Sequence, residues 1–439
     1  MLRADLHPRL SDARARRRAA ATSGRRARGF TMVELMVALL IGTLIAAAAF
    51  LLARQATTVF QNEARISSAQ FGVSIGMSRL QADLQRAGFM SSPAIAKDPT
   101  RCGSMADWPE GLKLLSAVTI EEGGSVVRHG GDHALSGANG LNPDAIIIGG
   151  AISTTEQFAV RGVFPGATGG KDLVFEVRSG PYQRTMGADP ASPNNCPQRL
   201  EDIFRVGRFL RIVDAEGRAS YGVISAVDMN DPTQPRVSLA APPIIPTKDA
   251  GSPCGPSGGF ATGTLVNPVA RVLYDLRAVT AAAYPRYAGL YSKAQNPGSA
   301  YHVGVGEPAR TELVRVELDA DGEELDDTLE VVSEFAVDLK FGITSATAGT
   351  SPVVTHVPIG APAVYTTAAP LDGGGTPERV RAVQVRLSTR ASVRDRDVGL
   401  AAPSQGGLYR YGLGANAGFT RIRTLVADVT LPNLAGIIW

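Results

Sequence analysis

The sequence contains few cysteines, which limits both disulfide bonding and metal binding. Cys102, Cys196 and Cys254 are the three in 439 residues, and no two of them have the spacing of metal ligands. In an oxidising compartment they allow at most one internal disulfide. Cys196 and Cys254 both lie in segments rich in Pro, Gly and Asn, which favours a bond between these two. Three unpaired thiols are the alternative.

Other metal-binding patterns in the sequence are incomplete. His129 and His133 are four residues apart, but the intervening Gly130-Gly131-Asp132 favours a loop with solvated histidines over the rigid helix face that two ligands need. Residues 317–322 begin like a calcium loop, yet Thr328 occupies the position of the bidentate carboxylate. We therefore expect a hairpin turn with solvated acidic residues there, and we predict no metal.

Signatures of catalysis and cofactor binding are missing from the sequence. Gly170-Lys171 is not part of a phosphate loop, because Pro165 stands where the first glycine belongs and Asp172 where Ser or Thr belongs. No Gly-x-Ser-x-Gly elbow precedes a helix, and no dinucleotide-binding fingerprint is present. We therefore expect a protein that is not an enzyme and that carries no cofactor.

Positive charge is concentrated at the N-terminus. The first 29 residues contain nine arginines and two aspartates, a net charge of +7, whereas the whole chain has a net charge of +3. The remaining 410 residues therefore carry a net charge of −4. A mildly acidic chain gives no electrostatic indication of nucleic-acid binding.

A long uncharged segment follows the basic residues. Residues 35–53 contain no charged side chain, and 19 residues at about 1.5 Å per residue give about 28 Å of helix, enough to cross a bilayer. By the positive-inside rule, the basic N-terminus stays in the cytoplasm. Glu34 lies at the start of this segment, where a carboxylate is costly unless it has a partner.

Residues 29–35, Gly29-Phe30-Thr31-Met32-Val33-Glu34-Leu35, resemble the class III signal of type IV pilins and type II secretion pseudopilins. The resemblance implies that prepilin peptidase cleaves between Gly29 and Phe30 and that Phe30 is then N-methylated. It also implies that Glu34 attracts the N-terminal amine of a neighbouring subunit during docking into a filament. In a low-dielectric helical bundle, such a pair is strong only when both charges meet.

A second segment narrows the resemblance. Residues 79–90, Arg79-Leu80-Gln81-Ala82-Asp83-Leu84-Gln85-Arg86-Ala87-Gly88-Phe89-Met90, are similar to the helix end of PilW-type minor pilins, and residues 331–341 and 380–390 are more loosely similar. This implies a minor pilin that takes part in initiating or capping a type IV pilus. The implied partners are prepilin peptidase, other minor pilins, the major pilin and the inner-membrane assembly platform. The implied location is the inner membrane, with the head periplasmic, and then the surface pilus.

Other classes share the hydrophobic segment. A type II secretion pseudopilin of the J type carries the same signal but usually has a much shorter head. A cleaved secretory signal peptide with a site near residues 46–49, a twin-arginine signal or a plain membrane anchor would instead indicate an exported or anchored binding protein or enzyme. A glutamate within the apolar region argues against the signal peptide.

The helical pattern extends beyond the membrane span. Apolar residues recur at spacings of seven, four and three, and they are Val59, Ile66, Val73, Met77, Leu80, Leu84 and Ala87. No proline occurs between Phe30 and Ser92, and Gly88 followed by Pro93 predicts the helix end. We therefore predict a leader over 1–29 and a helix over 30–90 that is transmembrane to about residue 53.

Residues 91–439 have the composition of a β-rich head with long Gly- and Pro-rich connections. Candidate strands, several of which alternate cleanly between polar and apolar residues, are 113–120, 144–148, 157–163, 172–177, 209–213, 221–227, 236–239, 270–276, 312–318, 329–341, 379–388 and 421–429. The fold class is therefore predicted as α+β, with a long N-terminal helix packed on a large antiparallel head, and the resemblance implies that this arrangement is pilin-like. The Gly- and Pro-rich segment 253–263 suggests two lobes that divide near residue 260.

Overall fold

The computed structural model describes 16 stretches of the chain. They are residues 29–166, 169–186, 197–214, 217–228, 230–231, 233–243, 245, 260, 264–280, 284–287, 310–347, 352–360, 376–392, 395, 410–414 and 418–437. The predicted leader up to residue 28 lies outside them, as do Cys196 and Cys254. The chain divides into two compact units, of which the first ends at Asn62 and the second is Glu63–Trp439.

The first long element is helix α1, Met32–Gln85. It begins two residues later and ends five residues earlier than predicted, because residues 86–90 form a turn. Its apolar part is long enough to cross a membrane, and it is the one such helix in the described part of the chain. An 18-residue stretch of that part is entirely unburied, as expected for a segment that lies in lipid or among other subunits.

Within the ranges given above, the remaining elements are short helices and fifteen strands. The helices are α2 Glu110–Lys113, α3 Gly124–Arg128, α4 Ala134–Ala138, α5 Gly180–Met186 and α6 Pro197–Ile203. The strands are β1 Val118–Glu121, β2 Ala145–Gly150, β3 Phe158–Pro165, β4 Lys171–Phe175, β5 Phe209–Val213, β6 Ala219–Asp228, β7 Arg236–Leu239, β8 Thr264–Arg277, β9 Glu312–Leu318, β10 Glu330–Ser333, β11 Ala336–Ala346, β12 Val354–Val357, β13 Val380–Arg390, β14 Arg410–Gly412 and β15 Phe419–Thr430.

Strand β8 organises the first sheet, which has ten strands. The first half of β8 pairs with β3 and β5, and the order β8-β3-β4-β7-β6-β5 returns to β8, so these six strands form a closed ring. The second half of β8 pairs with β2 and β9 and extends the sheet to β1 and β10. Every named pair is antiparallel, and closure removes the open edges of the ring strands.

The second sheet has five antiparallel strands in the order β12-β11-β13-β15-β14. The second part of α1 contributes to one core together with residues from both sheets. This core includes Val73, Met77, Leu80 and Leu84 of α1, Ile146, Ile148, Val272 and Tyr274 of the ten-stranded sheet, and Leu339, Phe341, Val385 and Leu387 of the five-stranded sheet. The predicted α+β class, with a long helix and a large antiparallel head, is confirmed.

Gly76 in α1 and Gly88 in the turn after it allow close packing against the head. A Cβ atom at Gly76 would lie 2.8 Å from Cδ2 of Leu387 and 3.0 Å from Cβ of Ser333. At Gly88, φ is 71° and a Cβ would lie 2.9 Å from Leu434. Gly88 therefore has both a conformational and a steric reason to be glycine, and it follows the helix as predicted.

Most predicted strands are present, but two predictions are wrong. Residues 113–117 belong to α2 and the segment after it, so that the strand begins only at Val118. The single strand predicted at 329–341 is two strands, because Phe335 adopts a φ of 56° between β10 and β11. β10 belongs to the ten-stranded sheet and β11 to the five-stranded sheet, so the chain changes sheet at this point.

The predicted division near residue 260 does not separate two lobes. β8 begins at Thr264, yet it pairs with β2, β3 and β5 from the preceding half of the chain. Residues 63–439 accordingly form one compact unit. The hydrogen bonds of β8 instead join strands that precede the Gly- and Pro-rich segment in the sequence to β9, which follows it.

Candidate functional site

The N-terminus of α1 is closed by a capping box formed by Thr31 and Glu34. The Glu34 backbone N–H donates to Oγ1 of Thr31 at 3.2 Å, and the Thr31 backbone N–H donates to Oε2 of Glu34 at 2.9 Å. Oγ1 of Thr31 also donates to the same carboxylate oxygen at 3.0 Å. Two helix N–H groups that lack partners within the helix are thus satisfied by Thr-x-x-Glu.

The predicted cleavage residues lie just before this cap. Gly29 and Phe30 are outside the helix and exposed, with 83% of Phe30 accessible. A Cβ added at Gly29 would meet no atom within 4 Å. The peptide between them is therefore accessible to a peptidase. Gly29, Phe30 and Glu34 lie within six consecutive positions, the first two before the helix and Glu34 in its first turn.

The surface that follows Glu34 is apolar on every side of the helix. Leu39, Leu40, Ile41, Leu44 and Ile45 are each between 52% and 68% exposed. Exposed apolar residues around the full circumference are typical of a membrane span rather than of an amphipathic surface helix. Glu34 is the acidic residue in the first turn of this span, where a partner for its charge is most valuable.

Asp83 anchors the other end of α1 to the ten-stranded sheet. It is 3% exposed; its Oδ2 accepts from Oη of Tyr274 at 2.7 Å and from Nε of Arg315 at 2.8 Å. Burial, reinforced by the negative charge of Asp83, raises the pKa of Tyr274 well above its usual range. Sequence reasoning missed this role of Asp83, although a lone acid on the apolar face of a helix was a usable signal.

The His129–His133 segment is helical rather than a loop, which corrects the prediction. α3 is followed by a 3₁₀ helix, Gly130–His133, and then by α4. His133 is 3% exposed and its Nε2 lies 2.8 Å from the Leu276 carbonyl oxygen. Burial lowers the pKa of His133. This histidine is therefore a buried structural residue and not a solvated one.

His129 belongs to a different cluster, with Asp275 and Glu324, whose ligand atoms lie within 4.8 Å of one another. Nε2 of His129 is 3.1 Å from Oδ2 of Asp275. The guanidinium of Arg277 contacts both carboxylates, at 2.6 Å each, and its side chain is 1% exposed. Arg277 already supplies the positive charge that balances both carboxylates. A metal ion would have to displace it and leave a buried guanidinium unpaired, so these residues do not fit a metal ion.

The segment resembling a calcium loop contains the turn that follows β9. Glu317 forms a bidentate pair with Arg208, with both N–O distances 2.6 Å. Oδ1 of Asp319 accepts from the backbone N–H groups of Asp321 and Glu323, at 2.9 Å each, and Leu318 pairs with Glu324. The predicted hairpin turn is observed, and the carboxylate of Glu317 is occupied by an arginine.

Cys102 is disulfide-bonded, which differs from the predicted pairing. In a chain with three cysteines, a bond to Cys102 uses one of the other two and cannot coexist with a Cys196–Cys254 bond. The prediction is therefore corrected to a disulfide that includes Cys102. Spacing and composition could not identify the pair, because pairing depends on which Cα atoms the fold brings within bonding distance.

Comparison with known proteins gives one result. Residues 24–50 match the family model described as the prokaryotic N-terminal methylation motif. No match was found among curated proteins or among solved structures. The matched residues contain Gly29, Phe30, the Thr31–Glu34 cap and the first part of the apolar helix. The N-terminal segment is therefore a prokaryotic N-terminal methylation motif, the signal of type IV pilin-like prepilins, attached to a helix that fits a single-pass membrane anchor.

Proposed function

We propose that this chain is a minor pilin of the PilW type that takes part in initiating or capping type IV pilus assembly. Prepilin peptidase cleaves between Gly29 and Phe30, Phe30 is N-methylated, and Glu34 pairs with the N-terminal amine of a neighbouring subunit. Before assembly the protein lies in the inner membrane, with its basic N-terminus cytoplasmic and its head periplasmic. Its role is structural rather than enzymatic, and its partners are other pilins and the inner-membrane assembly platform.

The observation that carries this proposal is the match of residues 24–50 to the methylation motif. The accessible Gly29–Phe30 peptide and the unburied apolar helix support it. The size of the chain favours a role in a pilus over a role in type II secretion, because the second compact unit, Glu63–Trp439, has 377 residues. The similarity of residues 79–90 to the helix end of PilW-type minor pilins supports the assignment within pilins.

A pseudopilin of the J type is the second candidate, because the same motif is the signal of both filament systems. A deletion strain separates the two. Loss of surface pili with normal protein secretion would support the minor pilin, and loss of type II secretion with normal piliation would support the pseudopilin. A strain that loses neither would leave no basis for a filament role.

Processing is tested by Gly29→Arg. A Cβ at residue 29 meets no atom within 4 Å, so the variant should fold, whereas a large charged side chain at the scissile bond should block the peptidase. We expect immunoblots to show full-length precursor in the membrane fraction and loss of the mature band. Gly24→Arg, which adds the same charge five residues earlier, is the matched control and should be processed. Normal processing of Gly29→Arg would refute the assignment.

A further inference from the structure

Arg271 on β8 carries a buried charge that has no ion-pair partner among the described residues. Its side chain is 4% exposed, and within the described part of the chain neither Nε nor Nη1 has a hydrogen-bond partner. The described head has four other buried arginines. Three of them contact carboxylates: Arg208 with Glu317, Arg277 with Asp275 and Glu324, and Arg315 with Asp83. The fourth, Arg390, lies over the rings of Phe335 and Tyr411. A buried unpaired guanidinium is costly, so Arg271 calls for an explanation that these four do not.

Arg271 lines a cavity of about 230 Å³ beside the edge strand β1. Arg271 lies opposite Gly149 of β2. Because glycine has no side chain, the residue at that position does not cover the guanidinium. Most of the cavity wall is apolar, and it includes Ile95, Leu114, Leu115, Ile147 and Pro377. Leu114 is 59% exposed, which leaves an apolar side chain at the open side. The cavity therefore combines the buried guanidinium of Arg271 with largely apolar walls.

The other charges of the cavity are already balanced. Burial, together with the like charge of Arg128, lowers the pKa of Arg271 to about 10, which still leaves it cationic at neutral pH. The remaining charged residues of the wall each have an ion-pair partner: Lys97 with Glu378 at 3.2 Å, Lys113 with Glu110 at 2.7 Å, and Glu121 with Arg128 at 2.8 Å. Glu121 attracts Arg271 only at a distance, so Arg271 is the charged wall residue without an ion-pair partner among the described residues, and a negatively charged ligand would supply one.

We propose that this cavity binds a monocarboxylate that carries a short apolar group. A guanidinium donates charge-assisted hydrogen bonds to a carboxylate, and Arg271 lines this cavity without an ion-pair partner among the described residues. The apolar walls accommodate the rest of the ligand. About 230 Å³ is below the usual range of roughly 300–1,000 Å³ for drug-sized ligands, which fits a small acid or the last residue of a polypeptide.

The probe is butyrate, with butanamide as its uncharged analogue, added to the purified full-length chain in detergent at fixed pH and chloride. We expect butyrate to raise the midpoint of thermal unfolding in a saturable manner, as a ligand of the folded state does, and butanamide to leave it unchanged. Arg271→Met keeps an unbranched side chain without the charge and should abolish the shift. Arg423→Met removes an exposed arginine of β15 and should retain it.

A second measurement does not depend on the variant folding. Crystals of the wild-type chain soaked in 3-bromopropionate should show anomalous bromine density inside the cavity, with the carboxylate against Arg271. Equal effects of butyrate and butanamide, a shift that persists in a folded Arg271→Met variant, or bromine density elsewhere with none in the cavity would each overturn the proposal.

A peptide probe distinguishes the two possible sources of the carboxylate, a small acid and the C-terminus of a polypeptide. Acetyl-Gly-Leu-Val with a free C-terminus is compared with the same peptide as its C-terminal amide. Tighter binding of the free acid than of butyrate would identify a polypeptide C-terminus as the occupant, and binding of butyrate alone would identify a small acid. Binding of neither acid overturns the proposal. None of these outcomes depends on cleavage at Gly29, so the proposal can fail independently of the proposed function.

Discussion

Glu34 has two separable properties, its negative charge and its place in the helix cap. One carboxylate oxygen accepts from both the backbone N–H and Oγ1 of Thr31. A glutamine at this position keeps an oxygen that can accept these bonds but has no charge. Substitution can therefore distinguish a residue that stabilises the first turn of α1 from one that attracts the amine of another subunit.

The first prediction concerns assembly. Glu34→Gln should be cleaved normally but incorporated into filaments at least tenfold less, because the charge that attracts the neighbouring amine is lost. Glu34→Ala should behave in the same way. The measurement is the amount of mature chain in sheared surface pili relative to the amount in the membrane. Glu63→Gln, with the same change of charge after the apolar segment, is the control.

A different pattern would contradict the pairing mechanism. If Glu34→Gln entered filaments at the wild-type level while Glu34→Ala did not, the required property would be the cap and not the charge. Thr31→Val then provides a direct comparison, since it removes the hydroxyl of the capping box and leaves Glu34 ionisable. If Thr31→Val lost incorporation while Glu34→Gln did not, the required property would be helix capping. Such a cap contributes about 1 kcal/mol to the stability of a helix.

Glu312 gives a prediction about pH. It is fully buried, and burial raises its pKa to about 7, although it contacts Arg310 and accepts from the Phe335 backbone N–H at 2.7 Å. A raised pKa means that the folded chain binds this proton more tightly than the unfolded chain. The resulting stability is complete below the unfolded pKa of about 4.3 and is lost as pH rises through 7.

We therefore expect the wild type to lose up to about 3 kcal/mol relative to Glu312→Gln between pH 4.5 and pH 8. Urea unfolding of both proteins across this range measures the difference in slope, so that effects of other ionisable groups cancel. Glu122→Gln is the control for removing a carboxylate near the surface. Parallel pH curves for wild type and Glu312→Gln would show that Glu312 does not titrate in this range.

At the scale of elements, the packing of α1 depends on Gly76. A glycine inside a helix usually only weakens it. In the structure, the Cβ position is within 3.0 Å of Leu387 and Ser333, and Leu387 is fully buried. Gly76→Val should therefore destabilise the head by about 1–3 kcal/mol through overpacking, measured by urea unfolding. Gly137→Val in α4, where no atom lies within 4 Å of the Cβ position, should change stability by much less.

The helix and most strands could be predicted because their signals are local. The spacing of Val73, Met77, Leu80 and Leu84 predicts one buried face, and these four residues are buried in the core. The closed ring around β8 could not be predicted, because pairing is decided by contacts distant in sequence. The division between β10 and β11 depends on the unusual φ of Phe335, and a phenylalanine gives no sequence signal for that conformation.

The candidate site shows the same contrast. Gly29, Phe30 and Glu34 could be identified because the motif is contiguous and precedes a long apolar run. The hydrogen bonds between Thr31 and Glu34 also follow from a local pattern, because Thr-x-x-Glu is the sequence of a capping box. The environment of Arg271 was not predictable at all, since its isolation depends on which acids the fold assigns to the other arginines.

At the scale of the whole molecule, charge and hydrophobicity divide the chain into functional parts. Nine of its 44 basic residues lie in the first 29 positions, and the exposed apolar helix follows them. The second unit, Glu63–Trp439, has its own core. This arrangement is expected for a protein that is processed at the membrane. The proposed processing predicts where the mature chain begins.

The most direct test is the N-terminal sequence of the mature chain, purified from the membranes of its native host and measured by mass spectrometry of the terminal peptide. The account predicts a chain that begins at Phe30 with one added methyl group on the amine, about 14 Da. A mature chain that begins near Phe50, or one that retains residues 1–29, would contradict it.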